Sequence, residues 1–256
     1  MGALRLDVEV IGAGRDLVLL HSLLSDRTSF EPLAARLAGQ RRLILVNLPG
    51  FGGSPAAGPA ISDYADAVAG LLEDVALPRE TDVLGNGLGG FVGLQLAIRH
   101  GMRFDRLVLV GSAIAFPEAG RATFRALADK APREGMAAVT GAAMRRMFPE
   151  RFIAARPEVV AGCEAVFEQI DAEVFASACR ALATMDLDAD LAGVRNRTLI
   201  VVGEQDEATP PPLARALTDR LANAGRIEMA GLGHCPHIQD PDAFVAAITP
   251  FLDLRG

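Results

Sequence analysis

The sequence predicts an α/β domain built on a mostly parallel sheet with helices on both faces. Three observations predict it. Short, continuous apolar runs alternate with longer amphipathic stretches, the rhythm of strand–helix–strand units. The runs lack polar alternation, which suits strands buried on both faces. One long strand-free block interrupts the rhythm and reads as an all-helical insertion. With 256 residues, 50% of them hydrophobic and 22% charged, the chain can bury a sizeable core and has an ordinary globular composition.

Taken in order, residues 4–11 alternate as an edge strand would, and 17–20 form the first buried run. A helix is expected over 28–38, a strand over 43–46, and a second helix over 62–76 with Ser62 able to cap it. A strand then ends at Val83-Leu84, a tight turn follows, and a helix runs over 88–100. After the run 107–110 comes the strand-free block, with helices expected over 119–130, 135–147, 158–170 and 173–185. The rhythm resumes with a strand over 198–202, a helix over 211–223, a strand over 226–229 and a last helix over 241–253. Asp240 and Pro241 give that helix a cap and a first-turn proline. The expected organisation is a core of residues 1–116 and 192–256 with a helical cap of 117–191.

The formal net charge of −7 argues against a nucleic-acid partner, which calls for a basic face. Cys163, Cys179 and Cys235 are odd in number and have no metal-type spacing, so three reduced thiols are expected. No signal peptide is visible at the start, and no apolar run suits a membrane span. The expectation is a cytoplasmic protein with a small-molecule substrate, no membrane partner, no cofactor and no metal. The oligomeric state is not encoded in any visible pattern.

The most informative segment is Val83-Leu84-Gly85-Asn86-Gly87-Leu88-Gly89-Gly90. It has the frame of the nucleophile elbow, G-x-S-x-G, with Gly87 where serine is expected. Gly85, Gly87 and Gly90 also fit G-x-G-x-x-G, but dinucleotide binding wants an acid at the end of the next strand, and that strand ends in Gly111-Ser112. Asp206 follows one later strand and His234 follows the next. The order elbow, Asp, His is the α/β-hydrolase order. The plainer alternatives are a loop carboxylate that caps Thr209 to Pro212, for Asp206, and a surface histidine, for His234. His100 and His237 are expected to have no part in chemistry.

His21-Ser22-Leu23-Leu24-Ser25-Asp26 is similar to an oxyanion loop of the His-Gly type, with Ser22 where glycine is common. Asn47-Leu48-Pro49-Gly50-Phe51-Gly52-Gly53-Ser54 is similar to the structural D-x-P-G-x-G-x-S turn, with Asn47 in place of Asp. Together these segments resemble the α/β-hydrolase superfamily over nearly the whole chain. Within it the chain looks most like the 3-oxoadipate enol-lactonases, through Arg151-Phe152, Pro157, the stretch from Phe175 to Leu182, Met185-Asp186-Leu187 and the stretch from Asp206 to Pro211. The resemblance implies the α/β-hydrolase fold, Asp206 and His234 as triad acid and base, Gly87 at the nucleophile position, and the backbone N–H groups of Leu23 and Leu88 as the oxyanion hole. Two departures stand out: the nucleophile is missing, and the chain has no Trp, although aromatic cap residues shape lactonase pockets.

Glycine excludes an acyl-enzyme at residue 87. Three readings follow. The lineage is hydrolytic, with reduced activity or a water activated by His234 and Asp206. Alternatively, His234 serves as base in lyase, isomerase or decarboxylase chemistry, with the oxyanion hole holding an enolate. Or the fold is a non-catalytic binding module. Ser22, Ser25, Ser112 and Cys235 lie on loops near strand ends but are weak substitutes as nucleophiles. A carboxylate-bearing enol-lactone calls for a cation in the pocket; Arg145, Arg146 and Arg180 are candidates, and a solvated helix face is the plainer role for each.

Overall fold

The computed structural model describes residues 5–255. Seven strands form one sheet in the order β1-β3-β2-β4-β5-β6-β7. They are β1 (Val8–Gly12), β2 (Arg15–Leu20), β3 (Arg41–Val46), β4 (Asp82–Asn86), β5 (Arg106–Val110), β6 (Arg197–Gly203) and β7 (Ala224–Met229). Edge strand β1 pairs antiparallel with β3, and every other pairing is parallel.

The apolar runs are continuous because both faces of the sheet are covered. Successive residues of a strand point to opposite faces. Leu17, Leu19, Leu43, Leu45, Val108 and Val110 therefore pack on one side with α1 (Glu31–Leu37) and α11 (Pro241–Leu252). Val18, Leu20, Ile44, Val46, Leu107 and Leu109 belong to the core on the other side, shared with α2 (Ile61–Asp74), α3 (Leu88–His100) and α9 (Pro211–Arg220). Helix α3 lies very close to the sheet: a Cβ on Gly89 would stand 2.0 Å from the Leu20 carbonyl oxygen.

Between β5 and β6 lie five helices, α4 (Glu118–Glu134), α5 (Ala137–Met147), α6 (Glu150–Ala155), α7 (Pro157–Glu168) and α8 (Ala172–Thr184). They are tied to the loops at the carboxyl ends of the strands. The His234 N–H donates to the Met147 carbonyl at 3.0 Å, and the Leu187 N–H to that of Ile114 at 3.1 Å.

Several boundaries differ from the sequence expectations. Leu4 lies outside the described residues, and β1 begins at Val8. The stretch expected as one helix over 28–38 is a 3-10 turn, Arg27–Phe30, followed by α1. Ser62 does not cap α2. That helix starts at Ile61, and the Asp63 carboxylate accepts from the Ala60 N–H at 2.8 Å. Helix α4 continues past Lys130 because Pro132 falls in its last turn, where the missing N–H costs one bond rather than ending the helix. Helix α6 and the four-residue α10 (Pro236–Gln239) are too short to leave a periodic signal. No helix among the described residues is long and apolar enough to cross a membrane.

Candidate active site

Four loops converge at the carboxyl ends of parallel strands, the region where open α/β sheets bind ligands. They follow β2 (His21 to Leu24), β4 (Gly87), β6 (Asp206) and β7 (His234). Gly87 has φ 53° and ψ −117°, a conformation glycine enters almost freely. Its N–H donates to the Val110 carbonyl at 2.9 Å, which fixes the turn to the neighbouring strand.

Asp206 is buried, and both of its oxygens are saturated. Oδ1 accepts from the Ala208 and Thr209 N–H groups at 2.8 and 2.9 Å. Oδ2 accepts from Thr209 Oγ1 at 2.8 Å and lies 2.9 Å from His234 Nδ1. The carboxylate thus caps its own loop and also faces the histidine. A proton on Nδ1 leaves Nε2 as the free base. Nε2 stands 2.8 Å from where a Cβ on residue 87 would begin.

Asn86 and Thr209 complete this arrangement, and the sequence did not single them out as members of the site. Asn86 Nδ2 donates to the His234 carbonyl at 2.9 Å, so the residue before Gly87 anchors the histidine loop. The Asp-x-x-Thr spacing was legible as a local cap, but the reach of Thr209 to 3.3 Å from His234 Nδ1 was not.

His21 is structural. Nδ1 lies 2.7 Å from the Ser22 carbonyl, and Nε2 accepts from the Leu48 N–H at 3.0 Å. Burial pushes its pKa down to about 4, so the ring is neutral and donates through Nδ1. It thereby joins the loop after β2 to the turn after β3. Asn47 is structural too, bridging Asp7 at 2.7 Å and the Arg27 N–H at 2.9 Å. The backbone N–H groups of Leu23 and Leu88 have no acceptor among the described residues, and both residues line the same cavity. Leu88 is the first residue of α3, where helix geometry leaves the N–H unpaired.

That cavity lies between the strand ends and the helices of the insertion. Phe91, Phe116, Phe124 and Phe175 give it aromatic walls in a chain without Trp. Of the three arginines raised from sequence, Arg145 and Arg180 are exposed, whereas Arg146 lines the cavity. Its guanidinium sits 5.8 Å from the centroid of the Phe124 ring and has no ion-pair partner among the described residues. Burial is the largest influence on Arg146 and pushes its pKa down; Asp206 and Glu207 oppose this.

The loop nucleophiles also separate. Ser25 Oγ turns back to the Ser22 carbonyl, and Ser112 Oγ lies 3.4 Å from the Val110 carbonyl. Cys235 is fully buried, its Sγ 3.5 Å from Asn86 Oδ1, and burial drives the thiol pKa well up. Ser22 alone among them lines the cavity. His100 is at the surface, 2.7 Å from Asp66. His237 is buried against Phe30, ring centroids 5.0 Å apart, away from the cavity lining.

Comparison with known proteins identifies the family. Residues 17–247 match the model of the alpha/beta hydrolase family. The chain is 30% identical to a pimeloyl-[acyl-carrier protein] methyl ester esterase from Aeromonas hydrophila subsp. hydrophila, over 96% of this chain and 98% of that protein. It is 26% identical to 3-oxoadipate enol-lactonase 2 from Acinetobacter baylyi, over 91% and 86% respectively. Among solved structures, the enol-lactonase from Burkholderia xenovorans LB400 matches with a TM-score of 0.91 at 29% identity, covering 97% of this chain and 96% of that one.

Proposed function

The chain belongs to the alpha/beta hydrolase family, and we propose that it is of ester- or lactone-hydrolase lineage, with a water activated by His234 in place of the serine nucleophile. The observation that carries this reading is the placement of His234: Nδ1 is 2.9 Å from Asp206, and Nε2 is 2.8 Å from the point where a side chain at residue 87 would start.

In the proposed reaction, the water oxygen bonds to the acyl carbon while its proton passes to His234 Nε2. Asp206 holds the ring in the productive tautomer and faces the imidazolium that forms. The carbonyl oxygen becomes an oxyanion held by the Leu23 and Leu88 N–H groups. One such donor is worth roughly 3–4 kcal/mol at the transition state. Collapse breaks the bond to the leaving oxygen, which takes the proton back from Nε2. A carboxylic acid and an alcohol result, or a ring-opened acid from a lactone. The substrate class is an ester or lactone that also carries a carboxylate, because Arg146 is a cation without an ion-pair partner among the described residues in a mostly apolar cavity. An anion there offsets the hydration that burial of the guanidinium removes.

Without a serine, turnover should be slow, in the range of the ~10³–10⁴-fold acceleration over water that survives loss of a triad member. The test is an ester and lactone panel with product analysis on three forms. The unaltered chain should hydrolyse slowly with no burst, His234→Ala should lose that turnover, and Gly87→Ser should gain activity with a burst of acyl-enzyme. If a folded Gly87→Ser gains on no ester or lactone, the hydrolytic reading fails and proton transfer on an enolisable substrate takes its place. Turnover indifferent to His234→Ala would exclude both chemistries.

A further inference from the structure

Ser22 puts a hydroxyl into the site at the position where an oxyanion loop of this type often has glycine. Its Oγ lies 2.6 Å from the point where a Cβ on Gly87 would sit, and His234 Nε2 lies 2.8 Å from the same point. The two atoms are therefore at most about 5.4 Å apart, and no direct hydrogen bond joins them. One water spans such a gap with a hydrogen bond to each side.

The rest of Ser22 is held in place. The residue is 3% exposed, and its carbonyl accepts from His21 Nδ1 at 2.7 Å and from the Ser25 N–H at 3.3 Å. The hydroxyl, in contrast, makes no hydrogen bond among the described residues and lies on the cavity wall beside Gly87. Ser25, three residues on in the same loop, spends its hydroxyl on the backbone.

We propose that Ser22 is the positioning residue for the attacking water, with its Oγ and His234 Nε2 holding that water over Gly87. The proposal rests on the water-based hydrolysis put forward above. Nε2 accepts the hydrogen that leaves during attack, and Ser22 Oγ accepts the second. The water's lone pair is thereby turned to the cavity, where the acyl carbon binds. The same hydroxyl is an obstacle to a serine at residue 87, because 2.6 Å to a Cβ is closer than contact allows. Rotation about one bond moves the hydroxyl away, while Ser22 Cβ at 3.2 Å and His234 Nε2 at 2.8 Å must still give by a few tenths of an ångström. Ser22 is thus needed by a water nucleophile and dispensable to a serine nucleophile.

The test is Ser22→Ala in two backgrounds. In the unaltered chain it should lower kcat on a carboxylate-bearing ester about tenfold or more, with KM little changed. In the Gly87→Ser chain the same substitution should leave the burst rate of acyl-enzyme formation within about threefold. A merely structural role for the loop predicts equal losses in both, and that result overturns the proposal, as does no loss in the unaltered chain. His234→Ala separates the two readings: if it has no effect, hydrolysis by activated water fails, whatever Ser22 does. A crystal structure of the unaltered chain gives a readout independent of turnover. A water hydrogen-bonded to both Ser22 Oγ and His234 Nε2 is expected, and a Ser22 hydroxyl turned away to another partner, with no bridging water, overturns the proposal.

Discussion

At residue 87 the backbone takes φ 53° and ψ −117°. A serine held there stores of order 1–3 kcal/mol of strain. Glycine avoids the strain, but its unfolded chain is freer, a difference of about 0.4–1 kcal/mol in the opposite direction. Gly87→Ser should therefore destabilise the fold by about 1 kcal/mol or more, because the new Cβ also stands 2.6 Å from Ser22 Oγ and 2.8 Å from His234 Nε2, read as a lower denaturant midpoint with an unchanged slope. A raised midpoint would show that the turn at 87 is not strained for serine. The positions of Gly87, Asp206, His234, Leu23 and Leu88 were legible because each stands at a fixed offset from the end of a strand. The separate fates of Ser22, Ser25, Ser112 and Cys235 were not. All four lie on loops near strand ends, and only the fold determines which hydroxyl meets His234 at a common point. Asn86 was hidden for the same reason, since its partner is 148 residues away along the chain.

Helix α3 can aim Leu88 at the cavity only by starting almost on top of β2. The Gly89 N–H donates to the His21 carbonyl at 2.9 Å. A Cβ on Gly89 would meet the carbonyl oxygens of Leu20 and His21 at 2.0 and 2.7 Å. These are backbone atoms of a central strand and its first loop residue, so the helix must lift instead. Gly89→Ala should cost about 3 kcal/mol, at the upper end for overpacking, and should disturb the Leu88 amide. Gly162→Ala in α7 is the control. A Cβ there meets nothing within 4 Å, so the same change should stabilise by roughly 0.5–1 kcal/mol. Thermal unfolding of the two variants distinguishes them, and equal effects would contradict the close approach. The inner strands were easy to locate because both faces are buried. The edge strands are the exceptions: β1 has no buried residue, and four of the six residues of β7 are polar, glycine or alanine and half-buried or exposed, which blurred the start of each.

The two ends of the sheet divide the charged groups between them. At the amino ends of the strands, Asp82 is buried between Arg15 at 2.6 Å and Arg41 at 3.0 Å, and Arg106 reaches Asp253 at 2.5 Å. At the carboxyl ends, two histidines are enclosed without charge. Burial lowers the pKa of His21 to about 4 and that of His237, which also faces His234, to about 3. Both ring nitrogens of His237 lack a partner among the described residues, and the ring lies between Phe30 and Phe244, so it joins the face of the sheet covered by α1 and α11. The unfolded chain protonates such histidines near pH 6.5. Between that value and the lowered pKa, the unfolded state binds more protons than the folded one, so stability falls as pH falls. The contribution is complete above about pH 6.5, declines towards pH 3–4, and is flat below. The two histidines account for on the order of 3–5 kcal/mol each across their windows. Phenylalanine in place of His237 keeps the aromatic stack and removes one titrating group that has no hydrogen bond to lose. In His237→Phe the slope of unfolding free energy against pH, between 6.5 and 5, should fall by about 1.4 kcal/mol per pH unit, one proton's worth, while the parts due to His21 and to carboxylates held low by their partners, such as Asp7 and Asp66, remain. Denaturant titrations at several pH values measure it. A slope identical to that of the unaltered protein would mean that His237 is charged or solvated in the folded state, contrary to its burial.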